Sequence, residues 1–207
     1  MKHIIPIIAL ALCSLLPTNA QSTDRSTKMT EYGNGCRKLL EGIANKDKYA
    51  LYEAKEELGK LNLEVIDPIC EEGSKGEGKP LIMFCPEYAD AMIKSNFLLQ
   101  SLDDISIMRA GDDSDLLVFH KSVSAHGTLT YEWEGCGKCE LMLVGKANDK
   151  LKVSITDTTS GKQYMALPDE EGGVSYVAWE MGTADGTYSI HIENTSDELV
   201  SFAIALN

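Results

Sequence analysis

The sequence predicts an α+β protein in which a short N-terminal helical hairpin region precedes an antiparallel β-sandwich. Apolar residues recur at helical spacing from Tyr32 to Leu61, in two segments separated by Asn45-Lys46-Asp47. After residue 115, short apolar segments alternate with turns rich in Gly, Asp, Ser and Asn. Segments 188–193 and 201–206 alternate with the period of strands that bury one face, and the turn between them suggests a closing hairpin.

The amino-terminal segment 1–20 predicts an export signal. Lys2 gives a positive start, residues 4–16 form an apolar run, and Thr18-Asn19-Ala20 offers a small-residue cleavage site. The apolar run is too short to span a bilayer comfortably, and no later segment is long enough. We therefore expect a secreted or periplasmic protein without a transmembrane segment.

Two details of this export prediction concern the residues around the cleavage site. A lipid-anchored form through Cys13 is disfavoured, because lipoprotein signals need a small residue before the cysteine and Leu12 is not small. The mature chain would begin at Gln21, and the polar segment 21–28 is expected to be a flexible leader.

The charge of the chain limits its partners. Its 207 residues carry a formal net charge of -13 at pH 7. Phosphate backbones and anionic membrane surfaces would repel so acidic a chain, which excludes nucleic acid as a partner. Protein and carbohydrate ligands remain compatible with this charge.

A change of pattern near Asp103–Asp115 predicts the domain boundary. This segment carries five aspartates. We expect a mainly helical region over 29–110 and an antiparallel β-sandwich domain over 111–207. Within the helical region, Leu63–Ile69 predicts a short strand, and Pro86 suits the first position of a third helix.

The C-terminal end resembles a known family of domains. Gly186-Thr187-Tyr188-Ser189-Ile190-His191-Ile192-Glu193-Asn194, with Phe202-Ala203-Ile204-Ala205-Leu206 after it, is similar to the end of bacterial pre-peptidase C-terminal domains. Leu151–Asp157 is similar to one of their middle strands. Those domains are small β-sandwiches attached to secreted enzymes. The resemblance implies an accessory role in binding or secretion and no catalytic residues.

The sharpest chemical motif is Cys136-Gly137-Lys138-Cys139. A redox centre would need a thiolate of lowered pKa, helped by a helix N-terminus or a nearby cation. A strand-like segment, Leu141–Val144, follows instead. Gly137-Lys138 also suits a two-residue hairpin turn. We therefore expect a structural disulfide or a stapled turn, with a thiol-disulfide oxidoreductase as the alternative.

Five cysteines remain after removal of the signal, so at least one thiol is unpaired or pairs between molecules. We expect Cys70 and Cys85 to form a disulfide across the loop Glu71–Pro80, with Cys36 buried and reduced. On the chain-entropy model, closing a loop of that length would stabilise the fold by about 3 kcal/mol.

The proposed turn at Gly137-Lys138 also predicts a register. It would place Trp133 opposite Met142, and Tyr131 opposite Val144, with these four side chains facing the sandwich core. The strand after the turn is apolar on both faces, so the helices would then cover Leu141 and Leu143.

Other candidate sites are weaker. Asp112, Asp113 and Asp115 could offer oxygen ligands to calcium, although a solvated acidic linker is favoured. Trp133, Tyr176 and Trp179 could form a sugar-binding platform, but strand aromatics more commonly belong to the core. The histidines lack metal-site spacing.

No motif assigns an activity, so function rests on class. We expect an exported, non-catalytic binding or accessory protein with a protein or glycan ligand and no catalytic or cofactor-binding residues. The alternatives are the thiol-disulfide oxidoreductase and an unrecognised secreted hydrolase. A buried histidine–carboxylate pair opening into a cleft would indicate the hydrolase.

Overall fold

The computed structural model describes residues 25–66, 82–97, 114–146, 150–168 and 172–207, without the side chains of 135–136 and 181–185. These ranges contain helices α1 (Thr27–Asn45), α2 (Lys48–Gly59) and α3 (Pro86–Lys94). They also contain eight strands: β1 (Leu63–Ile66), β2 (Leu116–Val123), β3 (Thr128–Val144), β4 (Leu151–Asp157), β5 (Gln163–Met165), β6 (Leu167–Pro168), β7 (Val174–Asn194) and β8 (Val200–Leu206). The protein is α+β, as the sequence predicts.

The helices begin and end at residues whose chemistry favours those positions. The Ser26 side chain accepts a hydrogen bond from the backbone N–H of Met29 at the start of α1. Asp47 caps α2 in the same way, 2.8 Å from the backbone nitrogen of Tyr49. Side-chain oxygens at these positions satisfy N–H groups that lack a partner within the helix. Because Ser26 caps α1, the predicted leader overlaps the start of this helix.

The predicted helical hairpin forms. Both helices turn their apolar stripes inward, and the fully buried members are Tyr32, Cys36, Leu39, Leu51, Ala54 and Leu58. Glycines of α1 allow close contact at this interface. A Cβ on Gly35 would lie 2.8 Å from Cγ of Leu58, and a Cβ on Gly33 would lie 3.1 Å from Sδ of Met142 on the sheet.

The strands form one sheet in the order β1-β2-β8-β3-β7-β4-β5, with β6 paired to β7. Strand β1 runs parallel to β2, and the other pairs are antiparallel. The predicted helical region 29–110 therefore contributes a strand to the sheet. The two-domain division itself stays a prediction.

The sheet divides into two halves along its longest strands. Between the pairs Gly135–Gly186 and Gly137–Met181, one residue of β3 lies opposite four of β7. The first half contains β1, β2 and β8 with the later part of β3 and the earlier part of β7. The second half contains the remaining parts of β3 and β7 with β4 and β5. Such an irregularity bends strands and allows a sheet to fold over itself.

Two hydrophobic clusters result. The inner core lies between the halves of the sheet and includes Leu141, Leu143, Val153, Ile155, Val177, Trp179, Tyr188, Ile190, Phe202 and Ile204. The helix-facing core lies between the helices and the other face of the first half, and includes Tyr32, Cys36, Leu51, Leu58, Phe84, Cys85, Tyr88, Val118, Met142, Val144, Ala178 and Ala203. The helices are therefore docked on the sheet.

The predicted hairpin turn at Gly137-Lys138 is wrong. Strand β3 runs through both residues, and Trp133 pairs with Tyr188 while Met142 pairs with Tyr176. Gly137 has the positive φ of 82° that such a turn requires, but this conformation occurs within β3, next to the register shift between Gly135 and Gly137. The partner of both parts of β3 is β7.

The predicted faces are therefore partly reversed. Met142 and Val144 belong to the helix-facing core, whereas Leu141 and Leu143 belong to the inner core. Trp133 packs against the inner core as expected. The helices do cover this strand, but on the face opposite to the predicted one.

The predicted closing hairpin is also wrong in its pairing, although both strands exist. Strand β3 lies between β7 and β8, so these two strands are not hydrogen-bonded neighbours. The chain between them is anchored by Asn194, which is fully buried and donates from Nδ2 to the carbonyl oxygens of Ser124 and Glu198. This connection carries the chain from one half of the sheet to the other.

Candidate functional site

The most unusual polar group in the helix-facing core is His120 on β2, whose side chain is 1% exposed. Its Nε2 accepts a hydrogen bond of 2.8 Å from the backbone N–H of Phe84, and the two rings are stacked, 6.2 Å apart at an angle of 2°. Nδ1 has no partner within the described residues. Burial lowers the pKa of His120 to about 4. The ring is therefore neutral near pH 7 and carries its proton on Nδ1.

Two thiols belong to the same core. Burial raises the pKa of Cys36 on α1 well above its ordinary value. Burial likewise raises the pKa of Cys85, just before α3, to about 12. The thiolate is the reactive form of cysteine, so both groups are poor nucleophiles at neutral pH.

The buried carboxylate of Glu140 on β3 lies beside the N-terminus of α1. Its Oε1 accepts hydrogen bonds from the Tyr176 hydroxyl at 2.5 Å and the Ser26 backbone N–H at 2.9 Å. Its Oε2 accepts from Nδ2 of Asn207 at 2.9 Å, and Nζ of Lys138 lies 3.5 Å from Oε1. Burial raises the pKa of Glu140, but these donors outweigh burial and hold it below its ordinary value. Because both oxygens of this carboxylate accept hydrogen bonds, Glu140 links the start of α1 and Asn207 to the sheet.

The cysteine motif is not placed where a thioredoxin-like centre would be. Cys136 and Cys139 lie within β3, which continues as a strand and opens no helix. Cys139 is buried in the inner core. The Cys136 side chain and Cys70 lie outside the described residues, so the pairs Cys136–Cys139 and Cys70–Cys85 stay predictions.

The predicted calcium ligands are only partly described. Asp112 and Asp113 lie outside the described residues. Asp115 is engaged within the fold, 2.5 Å from Nζ of Lys28 and 3.0 Å from the backbone nitrogen of Asn62. Among the described residues, no group of three or more His, Cys, Asp or Glu side chains could hold a metal ion. The calcium site stays a prediction.

A histidine–carboxylate pair of the kind expected for a hydrolase does occur, but at the surface. Nε2 of His126 lies 2.8 Å from Oδ1 of Asp197, and both side chains are largely exposed in turns. This environment provides neither the burial nor the cleft that the hydrolase alternative needs.

The aromatic residues proposed for a sugar platform do not share a surface. Tyr176 is buried in the helix-facing core and Trp179 in the inner core, on opposite faces of β7. Trp133 is partly buried against the inner core. Assignment to the core is therefore confirmed for Tyr176 and Trp179, whereas Trp133 packs against the inner core and stays partly exposed.

The described surface instead presents two tyrosines on α2. Tyr49 is 82% exposed and Tyr52 is 54% exposed. They lie three residues apart and so share one face of the helix. The prediction of sites from the sequence missed them, although aromatic residues on the polar face of a predicted amphipathic helix were a usable signal.

No protein-family model and no curated protein sequence matches the chain. Part of it is similar to the pre-peptidase C-terminal domain of a collagenase from Bacillus anthracis, with 7% identity, 47% of this chain and 80% of that chain covered, and a TM-score of 0.29.

Two other similar structures are periplasmic lysozyme inhibitors of g-type lysozyme. The protein from Aeromonas hydrophila has 16% identity, with 48% of this chain and 91% of that chain covered and a TM-score of 0.35. The protein from Salmonella Typhimurium has 9% identity, with 48% of this chain and 93% of that chain covered and a TM-score of 0.33.

None of the helices described in the present structure is long and apolar enough to cross a membrane.

Proposed function

We propose that this is an exported, non-catalytic binding protein that presents the outer face of its helices to a protein ligand. The observation that carries the proposal is the exposure of Tyr49 and Tyr52 on α2. Tyrosine is enriched at protein interfaces because it offers a large, rigid contact area with a polar tip. Export is supported by the signal pattern in residues 1–20.

The state of the buried polar groups supports a non-catalytic role. His120 is neutral and Cys36 and Cys85 are protonated near pH 7, as their shifted pKa values indicate. Glu140 is ionised and already accepts several hydrogen bonds. A general acid–base catalyst needs a pKa near the working pH and access to its substrate. These four residues do not combine those properties.

The rival class is a thiol-disulfide oxidoreductase, and an insulin-reduction assay separates the two. The wild-type protein and a Cys136→Ser variant are each assayed with dithiothreitol as the reductant. We expect both to leave the rate at that of dithiothreitol alone. Acceleration by the wild type that Cys136→Ser abolishes would overturn the proposal and establish the redox function.

A further inference from the structure

The exposed tyrosines belong to a continuous stripe on the outward face of α2. Tyr49, Tyr52, Glu53 and Glu56 are all exposed and follow the spacing i, i+3, i+4, i+7. Helix α2 packs against both α1 and α3. The stripe therefore lies on α2, the helix that contacts both of the others, on the side away from the sheet.

Ion pairs with neighbouring helices engage two of the lysines near this stripe. Lys38 of α1 lies 2.8 Å from Glu53, and Lys55 lies 2.5 Å from Asp90 of α3. Glu56 has no ion-pair partner among the described residues. The stripe thus combines two exposed aromatic rings with the carboxylate of Glu56, which makes no direct ion pair among the described residues, on a chain whose net charge is -13.

We propose that the stripe Tyr49–Tyr52–Glu53–Glu56 binds a lysine- or arginine-bearing segment of a protein partner, an inference that rests on the proposed function. A cation is attracted to the face of a tyrosine ring, and a nearby carboxylate adds direct charge attraction. The negative field of the whole chain would steer a basic partner towards it. A basic segment therefore matches both the local chemistry and the overall charge.

The test uses a fluorescein-labelled peptide of alternating lysine and glycine as the probe, measured by fluorescence anisotropy at low salt. The double variant Tyr49→Ala/Tyr52→Ala keeps the charge of α2 and does not lower its helix propensity. Each exposed cation–π contact contributes about 0.5–1 kcal/mol, so we expect the variant to bind about tenfold more weakly. Leu199→Ala is the matched control, because Leu199 is 57% exposed in the connection before β8, and its affinity should equal that of the wild type.

Three outcomes would overturn this inference. One is that the peptide does not bind, and another is that it binds the double tyrosine variant as tightly as the wild type. The third is an equal loss of affinity in Leu199→Ala. Circular dichroism establishes that α2 remains folded in each variant. These results leave the non-catalytic proposal intact, whereas thiol-dependent insulin reduction would remove that proposal without deciding where the peptide binds.

Discussion

The two cores of this molecule differ in chemistry. The inner core is built from strands alone, and its members are aliphatic or aromatic residues and Cys139, without any His, Asp or Glu. The helix-facing core joins helices to the sheet, contacts the buried ring of His120 and contains the thiols of Cys36 and Cys85. The inner core therefore depends on packing without a buried His, Asp or Glu side chain among the described residues, whereas the stability of the helix-facing side also depends on pH and on close helix contacts.

The largest expected effect comes from a cavity in the inner core. Leu143 is fully buried there, so Leu143→Ala should lower the free energy of unfolding by about 2–5 kcal/mol. Urea denaturation at pH 7 and pH 6 measures it. The penalty should be the same at both pH values, because the inner core contains none of the buried His, Asp or Glu side chains that the structure describes.

The control for this cavity is Leu199→Ala, which should change the free energy of unfolding by no more than about 0.5 kcal/mol. A penalty for Leu143→Ala that depended on pH, or that matched the control, would break the distinction between the cores.

The second effect is specific to the helix-facing core. The pKa of His120 falls from 6.5 to about 4 on folding, because burial disfavours the charged ring. The unfolded chain therefore takes up this proton first, and stability is lost as pH falls from 6.5 towards 4. At 1.36 kcal/mol for each pKa unit, the loss attributable to His120 should reach about 2 kcal/mol by pH 5.

Urea titrations between pH 7 and pH 5 test this dependence with two variants. His120→Gln keeps an acceptor for the Phe84 N–H but does not titrate, so its stability should vary less with pH. Phe84→Leu removes the stacked ring but keeps the N–H donor, so it should retain the wild-type dependence. If His120→Gln instead retains the full dependence, His120 is not the acid-sensitive group.

The sequence predicted which residues face inward much better than which strands pair. Alternation in 188–193 correctly indicated a half-buried strand, whereas β8 is a strand as predicted but is buried on both faces, with Phe202 in the inner core and Ala203 in the helix-facing core. Alternation could not indicate that β3 lies between these two strands, because it fixes the face of a strand and not its neighbour. The hairpin turn was predicted wrongly at Gly137 for a related reason, because a tight turn and a strand irregularity can both contain a glycine of positive φ. The choice depends on β7, which is distant in the sequence.

The candidate site was less predictable than the fold. The burial of His120 depends on contact with Phe84, 36 residues earlier in the chain, and nothing local to β2 indicates that contact. Glu140 is likewise defined by Ser26 and Asn207, at opposite ends of the described chain. By contrast, Tyr49 and Tyr52 could have been identified, because the apolar stripe of α2 was predicted correctly and leaves both on its outer face.

The smallest effect tests the close contact between α1 and α2 in the helix-facing core. A Cβ on Gly42 would lie 2.8 Å from Cγ of Leu51 and 3.0 Å from its backbone nitrogen, so Gly42→Ala forces the helices apart. Gly59 is the matched control, because the nearest atom to a Cβ added there is Cβ of Pro86, at 4.0 Å. Alanine is favoured over glycine in a helix by about 1 kcal/mol, whereas overpacking costs about 1–3 kcal/mol. Thermal unfolding should therefore show a lower melting temperature for Gly42→Ala and an equal or higher one for Gly59→Ala. If Gly42→Ala were as stabilising as Gly59→Ala, the helices would have to be less closely packed than this contact requires.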